Sequence, residues 1–253
     1  MRGVIEAYGA TDVGRKRDRN EDSFLIDRDL GLFVVADGMG GHAGGGIASK
    51  LAVETIRTAL ADAKRTSPQA FEVASTLEEG AAKDRLRDAV EAACARIFQE
   101  AQANPALLGM GTTVTAALVL GSYIYLAHVG DSRCYLVRGG RIFQVSEDHS
   151  LVNEQLKAGA MTPDEARHSR FRNIITRSVG FEEEVLVDLV GIDAADGDQL
   201  LLCCDGLTNL VEDDEILEVV DRNPLPDVPS RLVSIANDRG GDDNITVIVA
   251  RLG

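Results

Sequence analysis

A chain of 253 residues, 45% hydrophobic and 26% charged, can bury one large core or two small ones, and nothing in its make-up forces a split. Its formal net charge of −15 argues against nucleic acid and anionic membrane surfaces as partners and favours divalent cations. The opening residues lack a basic-then-apolar leader, and the longest apolar region, 113–129, is interrupted by Gly121, Ser122 and His128; a cytoplasmic protein with no membrane span is expected.

In chain order, short alternating or apolar runs predict strands at 4–11, 22–27 and 32–37. A helix follows, with Ala48, Leu51, Ala52, Thr55, Ile56, Ala59 and Leu60 spaced by three and four. The polar stretch 63–83 reads as a surface loop with a helical turn. A second helix carries Leu86, Ala89, Val90, Ala93, Ile97 and Ala101 on one face. Further strands are predicted at 112–120, 122–130, 133–145, 198–205 and 244–252, most of them joined by Gly-containing hairpin turns. Between strand blocks, 147–172 is charged and helical in character, like a lid. Antiparallel strand blocks with paired helices between them predict an α+β layered domain over 1–253 rather than a parallel doubly wound sheet.

The four cysteines are Cys94, Cys134 and the adjacent Cys203 and Cys204. Neighbours on a strand point to opposite faces, and no C-x-x-C spacing exists, so neither a zinc site nor a disulfide framework is indicated.

The strand 32–37 delivers Asp37 into a run of glycines that ends at Gly46, with Met39 and His42 nearly its only large side chains. The stretch 38–43 satisfies G-x-G-x-x-A after a strand, the dinucleotide fingerprint. A dinucleotide unit then needs a second parallel strand, whereas this chain continues into a helix and a polar loop, and Asp37 would face a pyrophosphate. A P-loop would need Gly-Lys-Ser/Thr, which is absent. Nucleotide binding is therefore set aside.

A metal makes a different demand, namely further carboxylates at strand ends beside small residues. Asp131 and Asp205 end apolar strands, Asp242 and Asp243 precede another, and Glu21 and Asp22 precede a third. One Asp before a Gly is often only a turn. The whole set, with no matching set of basic residues, calls for a hard, multiply charged cation. Oxygen donors without clustered His or Cys point to Mg²⁺ or Mn²⁺ and away from Zn²⁺.

The motifs "GRKRDRNED", "DGMGGH", "GMGTT", "HVGDSR", "EDHS", "RNIITRSVG", "CDGL" and "GGDDNIT", in this order from Gly14 to Thr246, resemble those of the metal-dependent serine/threonine protein phosphatases of type 2C in their compact bacterial form. The resemblance implies a four-layer α-β-β-α sandwich, with two central antiparallel sheets flanked by antiparallel helix pairs and a metal centre at one end. It implies two Mn²⁺ or Mg²⁺ ions, with Asp37 bridging them, Gly38 giving its carbonyl to one, and Asp205 and Asp243 binding the other. Asp131, with Asp205, is similar to the family's third, weaker metal site. Glu21 and Asp22 would hold metal-bound waters or ligate directly. The segment 147–175 corresponds to a mobile flap.

By the same resemblance, phosphoserine and phosphothreonine are hydrolysed by in-line attack of a hydroxide bridging the two ions. Arg17 matches the position that clamps phosphate, and His42 the proton donor to the leaving oxygen, a role worth about 10²- to 10⁴-fold. His128 and His149 are expected to make structural hydrogen bonds and His168 to lie on the flap surface. Three departures stand out: Cys204 where the family usually has Ser, with sensitivity to oxidation as a consequence, Ser178 for the commoner Ala, and Gly46 where bacterial members often carry Glu. The expected partners are phosphorylated proteins and a cognate Ser/Thr kinase, with a monomeric chain. The alternative is a catalytically inactive module that binds metal and phosphoproteins; the intact set of Arg17, His42 and carboxylates speaks against it.

Overall fold

The computed structural model describes residues 4–40, 44–71, 81–167 and 169–253. The expectations for His42 and His168 lie outside the described residues. In chain order the elements are β1 (Val4–Asp12), β2 (Asp22–Asp27), β3 (Leu32–Met39), α1 (Gly44–Thr66), α2 (Ala81–Ala103), β4 (Gly111–Thr112), β5 (Val114–Leu120) and β6 (Tyr123–Val129). They continue as β7 (Arg133–Arg138), β8 (Arg141–Gln144), α3 (Leu151–Lys157), α4 (Pro163–Arg167), β9 (Asp188–Asp193), β10 (Gln199–Cys203), α5 (Asp205–Thr208), α6 (Asp213–Arg222), α7 (Val228–Asp238) and β11 (Ile245–Leu252).

The strands form two sheets, ordered β1-β11-β10-β7-β8 and β2-β3-β5-β6-β9, with β4 added to β3; the pairings are antiparallel. Alternation along each strand builds three cores. Phe33 and Val35 of β3 meet Leu200, Leu202 and Ile248 between the sheets. Leu32, Val34 and Ala36 face the other way, onto Ile56 and Leu60 of α1 and Leu86 and Ile97 of α2. Leu201 and Val247 pack on Ile216 of α6 and Leu232 of α7. The outcome is the α+β four-layer sandwich expected from the motifs. Cys203 joins the α6–α7 core and Cys204 the inter-sheet core, as alternation requires, and all four cysteines are buried and free.

Four elements escaped the reading of the residues themselves, among them the single-turn α5. β9 is a six-residue edge strand, half-buried, with Gly191 in its middle, so its alternation is weak. α6 and α7, ten and eleven residues long, are the second helix pair that the family resemblance implied but the reading of local periodicity passed over. In the 63–83 loop, α1 runs on to Thr66 and a 3₁₀ turn occupies Pro68–Phe71.

The segment 147–175, expected as a flap, is tied at its base, where Ser150 bridges Ile175 and the Thr176 N–H donates to the His149 carbonyl at 2.9 Å. Within it, the Ser150 side chain caps α3 by accepting from the Asn153 N–H. Thr162 and Glu165 cap α4 reciprocally: Thr162 N–H donates to Glu165 Oε2 at 2.8 Å and Glu165 N–H to Thr162 Oγ1 at 3.3 Å. Among the described residues no helix is long and apolar enough to cross a membrane.

Candidate metal centre

The site lies at one end of the sandwich, where both sheets deliver carboxylates. Asp22 and Asp37 are partners in the β2–β3 register. Asp205 opens α5 directly after β10, and Asp243 stands two residues before β11. Asp131 sits on the β6–β7 turn, where Gly130 takes φ +112° and a Cβ would lie 2.6 Å from Thr113 Cβ.

The glycine run owes its composition to close packing. A Cβ on Gly38 would fall 2.1 Å from the Gly45 carbonyl oxygen, and one on Gly45 would fall 2.7 Å from Gly38 backbone. Bare backbone is what lets α1 begin against the end of β3. Asp37 is then anchored at both backbone groups: its N–H donates to Thr113 Oγ1 at 2.9 Å, and its carbonyl accepts from Thr112 Oγ1 and the Thr113 N–H, each at 2.9 Å.

Residues to which no role was assigned, Asn20, Asn244 and Thr246 within the motifs and Thr11 and Asn209 outside them, orient the carboxylates. Asn20 Nδ2 donates to Thr11 Oγ1 at 2.8 Å, Thr11 to Thr246 Oγ1 at 2.8 Å, and Thr246 to Asp22 Oδ2 at 2.6 Å. Asn209 Nδ2 donates to Asp205 Oδ2 at 2.9 Å. Asn244 accepts the Glu21 N–H at 2.8 Å and donates to the Val13 and Arg19 carbonyls, both at 2.9 Å, so it pins the loop that carries Arg17. Three Asn and two Thr near strand ends give no chemical signal by residue type alone; their role comes from what lies across the sheet.

His128 and His149 serve the fold, as expected. His128 bonds Thr115 Oγ1 through Nδ1 and the Gly130 and Glu147 carbonyls through Nε2, all at 3.0 Å. His149 Nδ1 accepts the Gly130 N–H at 3.0 Å, so its proton sits on Nε2, which donates to Asp188 Oδ2 at 3.0 Å. The two rings stand 4.9 Å apart and hold the turn that presents Asp131.

The electrostatics are those of carboxylates crowded without compensation. Burial foremost, then the charges of Asp22, Asp205, Asp131 and Asp243, holds Asp37 well above the carboxylate range. Asp22 is pushed up to about 7 by burial, against the Thr246 hydrogen bond and the neighbouring Cys204 thiol that favour its charge, and with Asp205 and Asp243 repelling it. Asp131 and Asp205 are raised as well, mainly by burial. Arg17 Nη2 donates to Asp243 Oδ2 at 2.7 Å from a half-exposed position. Burial opposes its charge, but Asp243, Asp37 and Asp205 together hold it above its ordinary value.

These residues fit hard divalent ions. Glu21 Oε1, Asp22 Oδ1 and Asp131 Oδ1 are buried with no hydrogen-bond partner, a cost that a buried carboxylate oxygen escapes only when something positive meets it. Cys204 Sγ lies within 4.8 Å of ligand atoms of Asp22 and Asp37. It is fully buried, donates to the Asn244 carbonyl at 3.3 Å and accepts the Thr246 N–H at 3.1 Å. Burial, then the charges of Asp22, Asp37 and Asp205, pushes this thiol far up, so it stays neutral. That corrects the expectation of oxidation sensitivity, since a buried protonated thiol is neither a nucleophile nor a ligand for hard cations. The structure thus gathers Asp22, Asp37, Asp131, Asp205, Asp243 and Arg17 about one centre.

The protein phosphatase 2C model matches residues 13–246. Protein phosphatase PhpP of Streptococcus pneumoniae is 39% identical over 246 residues, covering 96% of this chain and 95% of that protein. Serine/threonine phosphatase stp of Listeria monocytogenes is 37% identical over 249 residues, covering 97% and 95%. Among solved structures, the Mycobacterium tuberculosis serine/threonine phosphatase PstP/Ppp superposes with a TM-score of 0.86 at 36% identity over 98% of each chain. The PstP catalytic domain in complex with two manganese ions gives 0.85 at 35% identity, again over 98% of each. With sequence and topology matching across almost its whole length, the chain belongs to the protein phosphatase 2C family of phosphoprotein phosphatases.

Proposed function

We propose that this serine/threonine protein phosphatase of the 2C type hydrolyses phosphoserine and phosphothreonine on proteins with two divalent ions, opposing a Ser/Thr kinase. The observation that carries the reading is the pair of buried, partnerless carboxylate oxygens on Asp22 and Asp131, beside Asp37, on which the charges of Asp22, Asp205, Asp131 and Asp243 all act; Glu21 Oε1 is likewise buried without a partner. Asp37, the Gly38 carbonyl, Asp205 and Asp243 would hold the pair of ions, and Asp131 with Asp205 a third, weaker one. Glu21 and Asp22 complete the shell directly or through water. When bound, Mn²⁺ or Mg²⁺ supplies a water nucleophile deprotonated near neutral pH and offsets charge on the phosphoryl oxygens.

The chain's own groups do the remaining work. Thr246 engages one oxygen of Asp22 and leaves the other free to face the centre. Arg17, fixed above the carboxylates through Asn244 and Asp243, offers the positive fork that draws a phosphate dianion into an otherwise repelling site. His42 is assigned the proton for the departing serine or threonine oxygen.

The test is release of phosphate from p-nitrophenyl phosphate and from phosphothreonine peptides with Mn²⁺, with Mg²⁺ and with EDTA. Hydrolysis of both substrates, abolished by EDTA, is expected. Metal binding without turnover of either would overturn the assignment.

A further inference from the structure

The segment after the flap builds a second surface beside the carboxylates. A groove of about 470 Å³ lies between Met39, two residues beyond Asp37, and residues 175–186; that volume is within the range of ligand sites. Its wall is rigidly held. Thr112 and Val179 exchange backbone hydrogen bonds of 3.0 and 2.8 Å. The Gly180 N–H donates to Cys94 Sγ at 3.3 Å, and the Cys94 thiol donates to the Glu182 carbonyl at 3.2 Å. Gly180, at φ +90°, presses so close on Ile97 that a Cβ would fall 2.2 Å from its Cγ2.

On this clamped wall two large apolar side chains face solvent, Phe181 at 59% and Leu186 at 71% exposure. Apolar side chains displayed on a preorganised loop, with polar groups at the rim, mark a binding surface. The rim is acidic. Glu182, Glu183 and Glu184 are exposed, while the lining cation Arg177 is neutralised by Asp188 at 2.6 Å and donates to the Leu186 carbonyl at 3.1 Å. A second copy of this chain, with a net charge of −15, is repelled by such a rim, whereas a basic segment is attracted. Two residues along β3 span roughly 7 Å, so a peptide whose phosphate sits at Asp37 reaches the groove within two or three residues.

We propose that this groove binds the substrate segment flanking the phosphoresidue, seating an apolar side chain against Phe181 and Leu186 and a lysine or arginine against Glu182 and Glu184. The proposal rests on the phosphatase reading above and adds a sequence preference to it.

The experiment compares two phosphothreonine peptides of equal length, one flanked by Leu and Arg, the other by Ala and Glu, with p-nitrophenyl phosphate as a control that is too small to reach the groove. Wild type is expected to favour the Leu/Arg peptide in kcat/KM by about 10-fold or more. The F181A/L186A double variant should lose the apolar part of that preference, and E182K/E184K should reverse the charge part, both with p-nitrophenyl phosphate turnover within about 2-fold of wild type. Equal kcat/KM for the two peptides in wild type, or a preference unchanged in the variants, overturns the proposal. Fluorescence anisotropy of the same labelled phosphopeptides reads the groove independently of turnover. If wild type hydrolyses nothing, the functional reading falls, while weaker binding of the Leu/Arg peptide by the variants still upholds the groove. A wild-type dimer that F181A/L186A converts to monomer in sedimentation makes the groove an interface between copies and overturns the proposal.

Discussion

Asp22 and Asp37 stand directly opposite one another across the β2–β3 register, a placement of like charges that ordinarily destabilises a strand pair. The raised Asp22, near 7 against an ordinary 3.8, sets the sign of a pH effect. A carboxyl raised in the folded state contributes stability below its unfolded value and loses it as pH climbs through about 7. Metal-free protein should therefore lose stability between pH 5.5 and 8, and saturating Mn²⁺ should raise Tm more at pH 8 than at pH 5.5. Equal metal-induced shifts at the two pH values would contradict a cluster that trades protons for cations.

Replacing the central carboxylate by its neutral isostere separates catalysis from folding. Asp37→Asn should lower kcat on the order of 10³-fold or more, the scale of losing a charge stabiliser in a transition state. Its Tm in EDTA should equal or exceed that of wild type, because one repelling charge is gone. Activity retained within about 10-fold would sink the two-ion assignment.

Arg17 bonds Asp243 from a side chain 53% exposed, so its pairing adds little to stability, at most about 1 kcal/mol. Arg17→Ala should leave urea denaturation nearly unchanged yet raise KM for p-nitrophenyl phosphate on the order of 10-fold or more. Arg17→Lys should recover only part of the loss, since an ammonium lacks the planar fork. A KM that does not move in Arg17→Ala would remove this residue from phosphate binding.

Gly38→Ala tests the packing of the glycine run. A methyl group 2.1 Å from the Gly45 carbonyl oxygen forces α1 away from β3, and a loss of about 2 kcal/mol or more is expected in chemical denaturation. At Gly46 a Cβ would meet nothing closer than 3.7 Å, so Gly46→Ala should be neutral or slightly stabilising in the same assay, through the helix propensity of Ala.

His128 provides a second pH dependence of opposite sign. Burial first, then the His149 ring, depresses it to about 4 against an ordinary 6.5, in spite of Asp148 and the Glu147 and Gly130 carbonyls. Between these values the unfolded chain takes up a proton that the folded chain refuses, so stability falls as pH drops from 6.5 towards 4, by up to a few kcal/mol. His128→Gln should flatten that slope relative to wild type, whatever its own stability at pH 7. Parallel curves for the two proteins would show that His128 does not titrate in this way.

Much of the architecture was legible in the residues because it is local. Strand alternation at 32–37, 114–120 and 245–252 and the three-and-four spacing in α1 and α2 are properties of neighbouring residues, and they reappear as the faces of the cores. The carboxylates too were visible, each beside a strand end. β9 escaped because an edge strand interrupted by Gly191 is only half-buried and carries little alternation. α6 and α7 do carry apolar spacing, at Ile216, Val219 and Val220 and at Leu232, Val233 and Ala236, and were passed over although legible.

Sequence by itself thus determined which chemistry was within reach, hard oxygen donors and no nucleotide cradle, while the family motif named Arg17 as the cationic fork and burial in the fold kept the Cys204 thiol neutral. Only the tertiary structure decided where those groups meet. Arg17 and Asp243 pair across 226 positions of chain and Thr246 reaches Asp22 across 224, separations over which local periodicity carries no information. Both sheets must close on the inter-sheet core before carboxylates from β2, β3, α5 and the loops before β7 and β11 share one centre. That closure also buries them, so the repulsion among them arises from the packing of the two sheets and from no single motif.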